Sequence, residues 1–142
     1  MSRKNEQLVR EGIRAFNAGD IEGLVAMTHP EAEFELIGGF AEIMGRAVFK
    51  GPDGVRRLYT DWFATFKTLR LEPERFLEAG QRLVTLTKLD ATVEGSDAPT
   101  QQLGAVIWSF KDEKISRIAA YYDREEALEA AGLSEQDAYA DS

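Results

Sequence analysis

The stretch Gly51–Phe66, GPDGVRRLYTDWFATF, constrains this chain more than any other. Its Gly-Pro-Asp opening is a helix-start signal, with proline suited to the first helical position, where an N–H has no partner anyway. Val55, Leu58, Tyr59, Trp62, Phe63 and Phe66 then recur at steps of three and four, so six large apolar side chains share one helical face. Such a face caps a hydrophobic core or lines a cavity.

The rest of the chain has to supply the cover. Its 142 residues suffice for one domain with a sizeable core. There is no cysteine, which removes disulfides, thiol nucleophiles and thiolate metal sites. A single histidine excludes a multi-histidine zinc centre, and no loop has the spaced acids of an EF-hand. No metal and no cofactor are expected. No apolar run approaches membrane-spanning length, and the polar opening MSRKNEQ lacks a signal-peptide core, so the expected location is cytoplasmic. Of the net charge of −8, −6 falls between Asp123 and Ser142. No basic surface for nucleic acid is visible, and the acidic end reads as a solubility feature.

Along the chain, Val9, Ile13 and Phe16, widened by Leu8, predict a helix over residues 3–18 with Gly19 as its stop. Asp20 is placed to cap a short second helix carrying Ile21, Leu24 and Val25, which Thr28-His29-Pro30 ends. A strand is expected near Ala32–Ile37, followed by an irregular excursion marked by Gly38, Gly39 and Gly45. After the aromatic helix the period drops to two. Four strands are predicted, about Thr68–Ala79, Arg82–Glu94, Thr100–Lys111 and Lys114–Tyr122, joined closely enough for an antiparallel meander. Pro73 and Gly104 are the candidate bend or bulge points. A final helix runs from an Asp123 cap, in an Asp-x-x-Glu capping box with Glu126, to Ala131; Gly132 stops it and Leu133 folds back. Residues 1–133 are thus expected to form the domain, and 134–142 an acidic, disordered tail.

The phrases AFNAGDIEGLVAMTHPEAEFEL, GRAVFKGPDGVRRLYTDWF and SFKDEKISRIAAYYD, in this element order, resemble the SnoaL-like branch of the nuclear-transport-factor-2-like superfamily over roughly residues 5–131. The resemblance implies an α+β fold: a curved antiparallel sheet wrapped on helices, cone-shaped, with an apolar cavity, and a homodimer paired through the outer sheet face. Members include polyketide cyclases, ketosteroid isomerases, limonene epoxide hydrolases, dehydratases and non-catalytic binding modules, so fold does not decide function.

Two members can be tested position by position. Where ketosteroid isomerases carry a carboxylate base, a tyrosine and a protonated aspartic acid, this chain has Leu36, Gly12 and Val106. None of these side chains can donate to an enolate oxygen, so that activity is not expected. Limonene epoxide hydrolases carry an Arg-x-Asp pair and a second aspartic acid. Lys88-Leu89-Asp90 stands at the first, with a lysine that cannot make arginine's planar two-point grip, and Ala120 at the second. Asp123 is better read as a cap, leaving Tyr122 as a possible proton donor.

The candidate catalytic group is therefore Asp90 as general base, with Lys88 or Tyr122 orienting water or an oxygen. The candidate ligand-binding residues are Phe16, Leu36, Phe40, Tyr59, Trp62, Phe63 and Trp108. Trp108 lines the cavity or supports a dimer, depending on which strand face is concave. His29 reads as a structural partner of a helix C-terminus, and Glu35 as facing away from Phe34 and Leu36. Three functions follow: cofactor-free acid-base chemistry on an apolar polyketide-, terpenoid- or steroid-like molecule; a carrier or sensor that binds such a molecule unchanged; or a dimerisation module with a filled interior.

Overall fold

The computed structural model describes residues 3–45 and 47–139. Helix α1 (Arg3–Ala18) buries Val9, Ile13 and Phe16, the stripe predicted for it. Asp20 accepts from the Gly23 amide at 3.0 Å and starts α2 (Ile21–Ala26). Strand β1 (Thr28–Ile37) begins earlier than expected, because the chain pairs again as soon as it leaves α2: the Ile115 amide donates to Met27 O at 2.9 Å. His29 therefore lies in a strand rather than at a helix end. Its Nδ1 accepts from the Glu31 amide at 3.0 Å, and its Nε2 meets Asp112 Oδ2 at 3.1 Å.

The stretch between β1 and the aromatic helix is more regular than its glycines suggest. It holds α3 (Gly39–Met44) and the short strand β2 (Val48–Lys50). Helix α4 (Gly51–Thr65) has Pro52 in its first turn and buries Val55, Leu58, Tyr59 and Trp62. The meander follows as β3 (Phe66–Ala79), β4 (Arg82–Val93), β5 (Pro99–Lys111) and β6 (Lys114–Tyr121).

The sheet order is β2-β1-β6-β5-β4-β3. Only β1 and β6 run parallel; the other neighbours are antiparallel. The edge strands β2 and β3 do not pair with each other, so the sheet curls around α1 and α4 without closing. The register between β3 and β4 shifts between Pro73 and Arg75, a bulge at the expected proline. At Gly104, by contrast, β4 and β5 stay in register. Glycine is needed there for close approach: a Cβ would lie 2.6 Å from Tyr121 O. On the β3 edge, the Asn17 side chain at the end of α1 donates to Leu71 O at 2.9 Å and accepts from Leu71 N at 2.7 Å.

The sheet carries a core on each face. Inside the cone, Phe34, Leu36, Leu83, Trp108 and Ile118 pack against α1 and α4. Outside, Val84, Leu86, Ala105, Ile107, Ala119 and Tyr121 pack under the C-terminal segment. That segment is α5 (Arg124–Ala131), capped by Asp123 accepting from the Glu125 amide at 2.9 Å, followed by α6 (Glu135–Tyr139). The tail expectation is corrected here. Ser134 and Asp137 cap each other reciprocally, Ser134 N to Asp137 Oδ2 at 2.9 Å and Asp137 N to Ser134 Oγ at 3.1 Å. Ala138 is fully buried on the outer core, and the Arg75 guanidinium lies 5.3 Å from the centre of the Tyr139 ring. Residues 140–142 lie outside the described residues.

Arg124 fastens this segment to the sheet. Its Nε donates to Gly104 O at 3.0 Å, and its Nη2 donates to Thr87 O at 2.7 Å and pairs with Glu74. Part of the outer face on which a dimer was expected is thus already covered. No helix among the described residues is long and apolar enough to cross a membrane.

Candidate ligand cavity

The 3.6-residue period of α4 and the two-residue period of the strands aim their apolar side chains at one axis, where free space remains in two compartments. The inner is a chamber of about 50 Å³ whose wall includes Phe16, Phe34, Tyr59, Leu89, Val106 and Trp108. The outer is a cleft of about 400 Å³ between α3, α4 and the far ends of β4 and β5, where Ile43, Phe66, Ala91, Val93 and Tyr122 contribute. Phe40, Trp62 and Leu89 border both. Phe40 sits between two rings, its centroid 6.3 Å from that of Trp62 and 5.1 Å from that of Tyr122, each edge-on. Ile43, Val93 and Tyr122 at the rim are substantially exposed, so an apolar surface faces solvent at the cleft. Two other hollows, beside the start of α1 and beside β2, have charged borders, including Glu11 and Asp112 at one and Lys50, Asp53 and Arg57 at the other.

Five of the seven expected ligand-binding residues, Phe16, Phe40, Tyr59, Trp62 and Trp108, border the chamber. Trp108 is on the concave side, where its indole N–H donates to Thr85 Oγ1 at 3.0 Å. Phe63 backs the wall, stacked on Tyr59 at 6.3 Å and tilted against Phe16 at 5.5 Å. Leu36 is buried in the inner core without lining the chamber. Tyr122 stands at the cleft rim, the chamber's outer neighbour.

Lys88 and Asp90 do not reach the chamber. The residues of β4 that line it are Thr87 and Leu89, and side chains alternate along a strand, so Lys88 and Asp90 project from the opposite face. Lys88 Nζ pairs there with Glu72 Oε2 at 3.1 Å, and that carboxylate holds the ammonium above its usual range. Asp90 accepts from Gln101 Nε2 at 2.9 Å. The expectation that this pair flanks the pocket is therefore corrected by strand parity. Glu35, as expected, faces outward and pairs with Arg117.

The chemistry of the chamber is narrow. Among the described residues its wall has no carboxylate, imidazole, amine or guanidinium. Gly12, Val106 and Ala120, three positions at which catalytic relatives were matched to polar groups, all border it and here carry only hydrogen, isopropyl and methyl. Its polar groups include two that sequence reasoning missed or undervalued: the hydroxyls of Thr87 and Tyr59. Neither hydroxyl bonds to another described residue, yet no fully buried side-chain N or O lacks a partner, so each of these oxygens keeps some accessible surface. Burial alone pushes the Tyr59 hydroxyl far up, which keeps it a neutral donor. Two threonines, Thr85 and Thr87, on the same face of β4 as Leu83 and Leu89 are the signal that could have pointed to the Thr87 hydroxyl. No group of three or more His, Asp or Glu among the described residues is arranged to hold a metal ion.

The model of the SnoaL-like domain matches residues 9–118. No curated protein matches the chain significantly. Among solved structures, an NTF2-like protein of unknown function from Burkholderia pseudomallei is 24% identical, with a TM-score of 0.76 over 91% of this chain and 97% of the other. TerC co-crystallised with polyporic acid is 21% identical, with a TM-score of 0.75 over 91% and 98%. A Mycobacterium tuberculosis protein in complex with estradiol-17β-hemisuccinate is 16% identical, with a TM-score of 0.74 over 86% and 95%. At these identities the likeness is one of fold.

Proposed function

This chain belongs to the SnoaL-like domain family, and from that premise we propose that it binds an apolar, ring-containing small molecule at the mouth of its cone without transforming it by acid-base chemistry. The observation that carries this reading is the wall itself: aromatic and aliphatic, with Gly12, Val106 and Ala120 where catalytic relatives would place polar groups. General acid-base catalysis needs a group of suitable pKa within hydrogen-bond reach of the reacting atom. Asp90 is on the wrong side of β4 for that. The cleft, at about 400 Å³, falls within the size of small-molecule sites. Polyporic acid and the steroid ester bound by two similar folds are ring compounds of this general class.

The test is a thermal-shift screen with quinones, steroids and terpenoids, followed by recovery of each hit after long incubation. A binder raises the melting temperature by mass action, and the expected hit is recovered unchanged. A new product peak overturns the non-catalytic part. No shift with any compound favours the filled dimerisation module instead.

The same reading includes a homodimer through the sheet. A second copy would have to use the part of the outer face that α5 and α6 leave free, where Leu103 is exposed beside Lys88 and Asp90. Sedimentation at high micromolar concentration should show a dimer; a monomer there removes it.

A further inference from the structure

Phe40 and the two open hydroxyls behind it carry an inference about what the ligand looks like; it rests on the ligand-binding reading. At about 50 Å³ the inner chamber has room for little more than water, while the cleft outside it is several times larger. Phe40, Trp62 and Leu89 stand between them, and of the three only Phe40 is half-buried rather than buried. Phe40 is held by edge-on contacts with Trp62 and Tyr122, not by enclosure, and it rides on a lightly anchored element. Helix α3 has six residues, buries none of them fully and has no side-chain cap. It is flanked by Gly38 at φ +79° and Gly45 at φ +71°, conformations that glycine adopts without strain. A Cβ at position 39 would lie 2.8 Å from the Tyr122 ring, so a residue with a side chain there would have to displace that ring.

Behind this ring lie Tyr59, 5% exposed, and Thr87, 4% exposed, each with a hydroxyl that no other described residue satisfies. With no partner among the described residues and some accessible surface left on each oxygen, these hydroxyls are left to water, which an incoming ligand oxygen can replace. We propose that Phe40 is a movable partition, and that the ligand is an uncharged ring compound whose leading carbonyl or hydroxyl oxygen passes Phe40 to hydrogen-bond with Tyr59 and Thr87. The remainder of the molecule occupies the cleft. A carboxylate at the leading end is disfavoured, because the chamber wall offers it no cation and burying an unpaired charge is far more costly than burying a hydroxyl.

The experiment uses 2-naphthol, naphthalene and 2-naphthoate as probes, titrated into the wild type and into the conservative variants Tyr59→Phe, Thr87→Val and Phe40→Ala. The wild type should prefer 2-naphthol over naphthalene by about tenfold and bind 2-naphthoate worst. Tyr59→Phe and Thr87→Val should each shrink the ratio of 2-naphthol to naphthalene affinity, and Phe40→Ala should speed association. A crystal of the 2-naphthol complex should show its oxygen between the two hydroxyls and the Phe40 ring displaced. Equal affinity for naphthalene and 2-naphthol, a preference that survives both hydroxyl deletions, or a probe seated in the cleft with Phe40 unmoved and water on the hydroxyls overturns the inference and leaves ligand binding standing. If none of the three probes binds, the inference falls, while the ligand-binding reading is decided by the quinone, steroid and terpenoid screen.

Discussion

Successive residues of β4 live in different surroundings. Leu83, Thr85, Thr87 and Leu89 look into the cone, toward the aromatic rings of α1 and α4. Val84, Leu86, Lys88 and Asp90 look out, the first two beneath α5 and α6, the last two among the charges of neighbouring strands. The inner face is lined by rings that leave space; the outer face is either sealed by two short helices or paired with ions. The difference teaches that burial on this sheet does not identify the functional side. Leu86 and Thr85 are both fully buried, yet only Thr85 belongs to the side that carries the cavity.

The comparison is broken most sharply in the core. Leu83→Ala inside and Leu86→Ala outside should each cost about 2–5 kcal/mol by chemical denaturation, the range for large-to-small changes at fully buried leucines. Equal penalties mean that α5 and α6 make the outer face a true second core. A loss of under about 1 kcal/mol for Leu86→Ala alone, the size of an ordinary surface change, would mean that the C-terminal segment does not seal it. At the other end of the scale, Asp90→Asn should change stability by no more than about 0.5 kcal/mol. It should also leave ligand binding as it is. A clear fall in affinity would return Asp90 to the site and reverse the parity argument.

The architecture was legible because two periods are written plainly into the chain. The stripes of α1 and α4 and the alternation of the meander each select one kind of element. The parity of β4 was not legible. Between Leu83 and Thr87 every residue is buried, so the contrast that normally distinguishes the two faces disappears. The inward residues there include two threonines and the outward ones include Val84 and Leu86, so polarity points the wrong way. A shift of one residue exchanges the faces completely, so nothing in the alternation of β4 opposed the Lys-x-Asp resemblance that put Lys88 and Asp90 at the pocket. The C-terminal segment misled for a related reason. Residues 134–142 hold three acids and no large aliphatic side chain, but Ala138 and the Ser134–Asp137 cap are enough to dock the segment, with Arg124 holding the start of α5 through two backbone carbonyls and Glu74.

The Asn17 amide, which meets both the N–H and the C=O of Leu71, does for β3 what a neighbouring strand would do. An uncurtained strand edge is a template on which other chains can assemble into fibres. Here one edge is occupied in its middle by a side chain that imitates a peptide group, and bent at Pro73. The other, β2, is only three residues long. A sheet that curls without closing has thereby become a poor seed for its own aggregation.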